Sequence, residues 1–173
     1  MKKIFLYLSI SIFALTSCEG PQGPPGAPGF TAESEVFELQ NINFNFDNID
    51  GYIIYQTLTP PIQDADLILI YRLSGTIDPQ TPIWQLIPRT LFLDQGELDY
   101  DFDFSKEDFT IYAGGTYNLA STPSYIQQQT FRIVIIPGYF SNKKSNPVDK
   151  NDYNAVINAY NIDDTNIKVL NRK

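Results

Sequence analysis

Apolar and polar residues alternate along most of the chain beyond residue 34, and this period of two is the pattern of a β-strand with one buried face. Segment 97–104 shows it most clearly, because apolar side chains take the even positions and acidic side chains the odd ones. The apolar set is Leu98, Tyr100, Phe102 and Phe104, and the acidic set is Glu97, Asp99, Asp101 and Asp103. Segments 66–74 and 129–137 are instead almost continuously apolar, which predicts central strands buried on both faces.

Turn-forming residues divide this region into about seven or eight predicted strands. The strands cover residues 35–46, 52–58, 66–74, 83–93, 97–104, 109–113 and 129–137, with a final edge strand at 167–170. The alternation changes parity near Gln40 and Asn41, which predicts a bulge or a break in the first strand. Pro88 interrupts the fourth strand, and residues 77–82 predict a loop because they contain two prolines.

One segment follows a different period. Tyr153, Val156, Ile157 and Tyr160 are spaced as one face of a helix, so residues 152–160 predict a helix that Asp149 or Asn151 would cap. Short antiparallel strands with one C-terminal helix predict a mainly β fold, an antiparallel β-sandwich, and a β-barrel is the alternative.

The first thirty residues have the pattern of an export signal. Lys2 and Lys3 precede an apolar run, residues 4–15, which is shorter than the roughly 20 residues of a membrane-spanning helix. The next residues, Leu15-Thr16-Ser17-Cys18, resemble the lipobox of bacterial lipoproteins. The resemblance implies cleavage of residues 1–17 as a signal peptide and diacylation of Cys18, which would anchor the chain in a membrane through more than one acyl chain.

A short collagen-like repeat follows the cysteine, with glycine at every third position. Its glycines are Gly20, Gly23, Gly26 and Gly29. The repeat favours a stiff tether of about 30 Å in polyproline II conformation, and a triple helix that would make the protein a trimer is the alternative. The predicted organisation is therefore a signal peptide at 1–17, a lipidated tether at 18–33 and a β-sandwich domain at 34–173.

Composition narrows the possible functions. The chain has a net charge of −8 and no basic cluster, which argues against a nucleic-acid partner. It has no histidine, and lipidation would consume its one cysteine, so the Ser-His and Cys-His arrangements of hydrolases are absent. No phosphate-binding loop, dinucleotide fingerprint or nucleophile elbow occurs. We therefore predict neither an enzyme nor a cofactor.

The acidic row of segment 97–104 is a candidate metal site. Calcium takes carboxylate oxygens, and Asp99, Asp101 and Asp103 would present several from one face of a strand. Same-face residues on a strand lie about 6.6 Å apart, however, which is wide for ligands of one ion. The alternative is a solvated strand face, with acidic residues that prevent pairing at a sheet edge.

Aromatic residues are the candidate ligand-binding groups, since the chain has eleven tyrosines, twelve phenylalanines and one tryptophan. Tyrosine and tryptophan can stack on sugars, and we single out Trp84, Tyr112 and Tyr117, followed by Tyr125 and Tyr139. The alternative is that most of these rings pack in the core of the sandwich.

Taken as a whole, the chain resembles the small lipoproteins of the Bacteroidota in which a lipobox cysteine precedes a short Gly-Pro run. The resemblance rests on residues 15–26, 67–73, 83–88, 131–137 and 152–156. It implies an anchor in the outer membrane, facing the cell surface or the periplasm, and it implies no activity.

Three hypotheses for the function follow. The first is a membrane-tethered, non-enzymatic structural or interaction module of the cell envelope with an unidentified protein or polysaccharide partner. The second is a module that binds a glycan or calcium. The third, which the composition disfavours, is a hydrolase that uses paired carboxylates.

Overall fold

The computed structural model describes residues 34–138 and 147–170, which form two β-sheets, two short 3-10 helices and one α-helix. Cys18, the four glycines of the tether and Tyr139 lie outside the described residues. Within the described residues, no helix is both long and apolar enough to cross a membrane.

Ten strands make up the two sheets. They are β1 Glu35–Ile42, β2 Asn45–Asp47, β3 Gly51–Thr57, β4 Leu67–Asp78, β5 Thr81–Ile87, β6 Arg89–Leu93, β7 Gly96–Phe104, β8 Asp108–Gly115, β9 Gln129–Ile136 and β10 Lys168–Val169. The 3-10 helices are Leu119–Ser121 and Pro123–Tyr125, and α1 is Tyr153–Tyr160.

The sheets have five strands each. The first sheet runs in the order β10-β1-β9-β4-β5 and the second in the order β2-β3-β8-β7-β6. Neighbouring strands are antiparallel, except that β10 adds to β1 in parallel. Because each sheet has two edge strands, the predicted β-sandwich is confirmed and the barrel alternative does not apply.

The main core lies between the sheets. Phe131 on β9 contacts Phe44 with ring centroids 6.0 Å apart and Tyr100 with centroids 6.4 Å apart, and these rings join the two sheets. Around them pack the inward side chains of both sheets, among them Ile68, Ile70, Ile54, Leu98, Phe109, Ile111 and Ile133. Each such side chain contributes about 1.5–3 kcal/mol when it leaves water, and with no disulfide among them this packing holds the sandwich together.

The described chain crosses between the sheets four times, and two of these crossings coincide with features predicted from the sequence. The first follows β1, where the register shifts between Leu39 and Ile42 and Asn41 adopts a φ of 49°. This is the predicted parity change near Gln40. The second is at Pro88, after which β6 joins the other sheet, so the predicted fourth strand is in fact two strands.

The helix α1 covers the outer face of the first sheet. Val156 and Ile157 pack against Leu69, Tyr71 and Val134 in a second, smaller core. The Asp152 side chain accepts a hydrogen bond from the backbone N–H of Ala155 at 3.1 Å, so Asp152 is the N-cap. The predicted caps, Asp149 and Asn151, were wrong because the first helical residue is Tyr153 and the cap precedes it directly.

The prediction of a loop at residues 77–82 was also wrong. β4 continues to Asp78 and β5 begins at Thr81, so only Pro79 and Gln80 make the turn of a hairpin. Asp78 closes this turn, since its side chain accepts hydrogen bonds from the Gln80 backbone N–H at 2.9 Å and the Thr81 hydroxyl at 2.9 Å. The tip of the hairpin is exposed and forms one wall of a cleft.

Candidate ligand-binding cleft

A cleft of about 620 Å³ lies on the outer side of the first sheet, beside the N-terminus of α1. Its walls are the tip of the β4–β5 hairpin, the residues around the helix N-cap and the segment at Asp164. The lining residues are Gln80, Thr81, Pro82, Ile83, Trp84, Arg132, Asn151, Asp152, Tyr153, Asn154 and Asp164. The volume falls within the range of small-molecule sites, about 300–1,000 Å³.

Arg132 organises the floor of the cleft. It lies on β9, opposite Glu38 of β1, and its Nε donates to the Glu38 carboxylate at 2.9 Å. Its Nη1 donates to the Tyr153 hydroxyl at 2.8 Å and lies 3.6 Å from the carboxylate of Asp164. The Tyr153 hydroxyl in turn donates to Asp164 at 2.9 Å. One guanidinium thus contacts β1 through Glu38, the helix α1 through Tyr153 and the C-terminal segment through Asp164.

Aromatic rings surround the same guanidinium. The Arg132 guanidinium carbon lies 4.3 Å from the centroid of the Trp84 ring and 5.1 Å from that of Tyr153, both within cation–π range. Trp84 and Tyr153 are themselves 5.9 Å apart between centroids, and Tyr71 packs edge-on against Tyr153 at 5.3 Å. The rings are therefore held rigidly, which lowers the entropy cost of binding a ligand against them.

The charged and phenolic groups of the cleft already have hydrogen-bond partners within the protein. Arg132, Glu38, Tyr153 and Asp164 bond to one another, and Asp152 is used by the helix cap. Burial raises the pKa of Tyr153, and the hydrogen bond to Asp164 raises it further against the opposing charge of Arg132, so the phenol stays protonated. Three exposed amides also line the cleft, Gln80, Asn151 and Asn154, and of these Asn151 donates to the Asp149 carboxylate at 3.2 Å. An amide can donate to and accept from a polar ligand but does not transfer protons.

The three predicted ligand-binding aromatics lie in different places. Trp84 lines the cleft, and its Nε1 is buried without a hydrogen-bond partner among the described residues. Tyr117 packs on the main core and its hydroxyl bonds to that of Thr122 at 2.7 Å. Tyr112 is on β8 in the second sheet, where its hydroxyl donates to Asp103 at 2.9 Å. The structure does not bring the three together.

Sequence reasoning missed Arg132, Tyr153 and Asp164. Arg132 carried one available signal, since it is the only charge within the apolar strand at 129–136. Tyr153 was predicted as part of a helix face but not as a site residue, because its distance from Trp84 depends on how the helix docks.

The acidic row lies on the outer face of the second sheet, as its alternation predicted. Asp101 pairs across the sheet with Tyr112, and Asp103 pairs with Thr110. β7 pairs with β6 only from Gly96 to Tyr100, whereas the part of β7 that carries Asp101 and Asp103 pairs with β8 alone among the described strands. The interpretation of an acidic guard against edge pairing therefore stays a prediction. Burial and the hydrogen bond from Tyr112 to Asp103 raise the pKa of Tyr112.

The arrangement of the carboxylates bears on the predicted calcium site. Across residues 34–138 and 147–170, no three acidic, histidine or cysteine side chains converge as the ligands of one ion would. Asp103 already accepts from Tyr112, and Asp101 accepts from the backbone N–H of Phe102 at 2.8 Å. Calcium binding by Asp99, Asp101 and Asp103 remains a prediction.

Comparison with known proteins yields no relative for this chain. No protein-family model matches it, and no curated protein or solved structure matches it significantly. The resemblance to small Bacteroidota lipoproteins therefore remains a prediction from the sequence.

Proposed function

We propose that this protein is a non-enzymatic binding module, tethered to the outer membrane through Cys18, and that its cleft beside Trp84 binds an uncharged glycan. One observation carries the choice of ligand: the cleft combines a preformed wall of Trp84 and Tyr153 with solvent-facing amides and no unpaired catalytic group. Apolar and aromatic walls with a few placed polar groups are the general form of small-molecule sites. Amides can both donate to and accept from sugar hydroxyls.

The charge of the cleft favours an uncharged ligand. The positive charge of Arg132 is balanced by Glu38 at 2.9 Å and by Asp164 at 3.6 Å. Asp152 adds a further negative charge at the rim. An acidic sugar would meet this excess of carboxylates without a free cation to bind it, and like charges at close range oppose binding.

The single tryptophan gives a direct assay for this proposal. Because Trp84 is the only tryptophan in the chain, fluorescence excited selectively at tryptophan and not at the eleven tyrosines reports on the cleft. The full-length protein in detergent is titrated with maltotriose, cellotriose, mannotriose and chitotriose, and with trigalacturonic acid as the charged comparison. We expect a saturable change in emission with at least one uncharged sugar and none with the acidic sugar. The absence of any change up to about 10 mM, which corresponds to roughly −3 kcal/mol, would refute glycan binding at this cleft.

A pair of matched variants locates the site. Asn154 and Asn158 are exposed asparagines one turn apart on α1, and only Asn154 lines the cleft. Asn154→Ala should weaken binding by about tenfold, the loss of roughly one useful hydrogen bond, while Asn158→Ala should leave it unchanged. Equal effects of the two substitutions would place the sugar elsewhere.

The anchor is tested separately. Cells that express the protein are fed a radiolabelled fatty acid, and the label should appear on the wild-type chain and disappear from Cys18→Ser. Protease treatment of intact cells, with a periplasmic protein as control, then distinguishes a surface-facing from a periplasm-facing domain. A wild-type chain that takes up no label would refute the lipid anchor without bearing on the cleft.

A further inference from the structure

Arg72 is a buried cation without a carboxylate partner. It lies on β4 with the parity of Ile68 and Ile70, so its side chain points between the two sheets, and it is only 7% exposed. The ion pairs among residues 34–138 and 147–170 involve Lys106 and Arg132, and none involves Arg72. A buried charge is costly unless it is paired, and Arg72 has no such pair among the described residues.

Neutral groups hold Arg72 in place. Its Nε donates to Oε1 of Gln129 at 2.8 Å, and Gln129 is itself only 5% exposed. The Gln129 amide nitrogen donates to the carbonyls of Ser124 and Gln127 at 2.7 Å and 2.6 Å, which fixes its oxygen toward the guanidinium. The guanidinium carbon also lies 4.7 Å from the Tyr100 ring centroid. These contacts orient the cation but do not neutralise it.

A cavity of about 270 Å³ opens beside this cation, between β4 and the segment that leads into β9. Besides Arg72 and Gln129, its polar lining residues are Ser74, Thr76, Ser124, Gln128 and Thr130. The lining therefore offers hydroxyl and amide groups and no acidic side chain. Arginine presents parallel N–H donors that match the oxygens of a carboxylate or phosphate.

Arg72 and Arg132 differ in their counter-ions. Both arginines lie on central strands of the first sheet, and both stack on aromatic rings. Arg132 has two carboxylates within 4 Å, whereas Arg72 has none and borders a cavity instead. The protein thus supplies carboxylate counter-ions for Arg132, whereas beside Arg72 it leaves a cavity with room for a counter-ion.

We propose that the cavity beside Arg72 is a binding site for a small oxyanion group, a carboxylate or a phosphate, that pairs with the guanidinium. The site is distinct from the Trp84 cleft, since the two cavities share no lining residue. A net charge of −8 disfavours non-specific association with anions, so saturable anion binding by this chain requires a dedicated cation.

Thermal unfolding of the full-length protein in detergent tests the proposal. Acetate and inorganic phosphate are titrated as sodium salts at pH 7 against sodium chloride, with the ionic strength held constant. At ten times its dissociation constant, the bound anion should raise Tm by about 4 °C relative to chloride. The acetate and phosphate arms show whether the planar or the tetrahedral group is preferred, and a response to either supports the site.

Two kinds of variant assign the effect to this cavity. Arg72→Gln should abolish the anion-dependent rise in Tm. Because that variant removes a buried side chain and can fail to fold, exposed residues provide a second test: Gln128 lines the cavity, whereas its neighbour Gln127 does not. Gln128→Glu should weaken anion binding at least fivefold through repulsion within the cavity, while Gln127→Glu adds the same charge outside it and should retain nearly wild-type affinity.

The results that would overturn the proposal are equally specific. One is the same Tm in acetate, phosphate and chloride up to about 50 mM, which would mean a Kd too weak to place a ligand here. Another is an anion response that persists in Arg72→Gln. A third is an equal loss of affinity in Gln128→Glu and Gln127→Glu, since that would reflect the net charge of the protein and not this site.

Discussion

Replacing Arg132 by methionine should be among the most damaging single substitutions outside the main core. Methionine keeps the aliphatic part of the side chain but removes the guanidinium that contacts Trp84 and Tyr153, and with it the charge. Glu38 would keep only its hydrogen bond from Gln40 at 2.7 Å, although its side chain is just 12% exposed. Arg132→Met therefore leaves a nearly buried carboxylate without its cation.

The magnitude follows from burial. Removing one partner of a buried ion pair costs about 3–5 kcal/mol. The side chains of Arg132 and Glu38 are 17% and 12% exposed, so this pair is close to fully buried. The lost cation–π contacts add roughly 0.5 kcal/mol each at a partly exposed site, and the apolar methionine offsets part of the total. We expect the free energy of unfolding to fall by about 3 kcal/mol, which is a large fraction of a typical domain stability.

Urea unfolding of the full-length protein measures this change. With an m value of about 2 kcal/mol/M, a loss of about 3 kcal/mol lowers the midpoint by roughly 1.5 M. Far-ultraviolet circular dichroism is the appropriate signal, because the substitution alters the surroundings of the only tryptophan and hence its emission. The control is Lys106→Met. The side chains of Lys106 and its partner Asp64 are 56% and 85% exposed, so losing this ion pair should leave the midpoint unchanged.

A double-mutant cycle tests the cause. If the unpaired Glu38 carboxylate produces most of the loss, Glu38→Gln combined with Arg132→Met should be more stable than the sum of the single effects predicts, by about 1–2 kcal/mol. An additive cycle, or a loss in Arg132→Met no larger than that in Lys106→Met, would refute the view that this guanidinium holds the cleft together.

Three further predictions concern tyrosine ionisation, the helix cap and a close backbone approach. Burial raises the pKa of three tyrosines above their ordinary value of 10.0, namely Tyr71, Tyr100 and Tyr153. Their phenols ionise more readily in the unfolded chain, so the free energy of unfolding measured with urea should fall as the pH rises above 10.0. The fall should be about 1.4 kcal/mol per pH unit for each tyrosine, and Tyr71→Phe should reduce that slope. Asp152→Ala should cost about 1 kcal/mol by loss of the cap, and Asp149→Ala clearly less, as measured by thermal unfolding. Gly115→Ala should cost about 1–3 kcal/mol because its Cβ would lie 2.5 Å from the Glu97 carbonyl oxygen, whereas Gly114→Ala meets nothing within 4 Å and should be tolerated; equal midpoints in urea would contradict this.

The sequence was sufficient for the fold class and for most strand positions. Period-two alternation is a local property, and at 97–104 it correctly separated the buried Leu98 and Tyr100 from the acidic outer face. The boundaries that failed depend on interactions that are not local. Residues 77–82 extend a hairpin despite two prolines because β4 and β5 pair through Thr76 and Pro82, at the edge of the sheet where proline costs no ladder hydrogen bond.

The sequence did not predict most of the cleft, because the lining residues come from distant parts of the chain. Trp84, Arg132, Tyr153 and Asp164 meet only after β5, β9, the helix and the C-terminal segment have docked. Trp84 alone was singled out, on its residue type. No spacing rule relates the four, whereas a metal-binding loop or a nucleotide-binding turn keeps its residues within one local motif.

The two arginines show why strands buried on both faces hide their chemistry. In a strand with one solvated face, alternation tells which side of the sheet a charge occupies. β4 and β9 are apolar at both parities, since one face meets the second sheet and the other meets α1, so neither sequence shows that Arg72 points inward and Arg132 outward. What the sequence does show is that each apolar run tolerates a single cation. Because an unpaired cation is costly on either face, that interruption alone predicts a nearby anion, supplied by Glu38 and Asp164 for Arg132 and, on our proposal, by a ligand for Arg72.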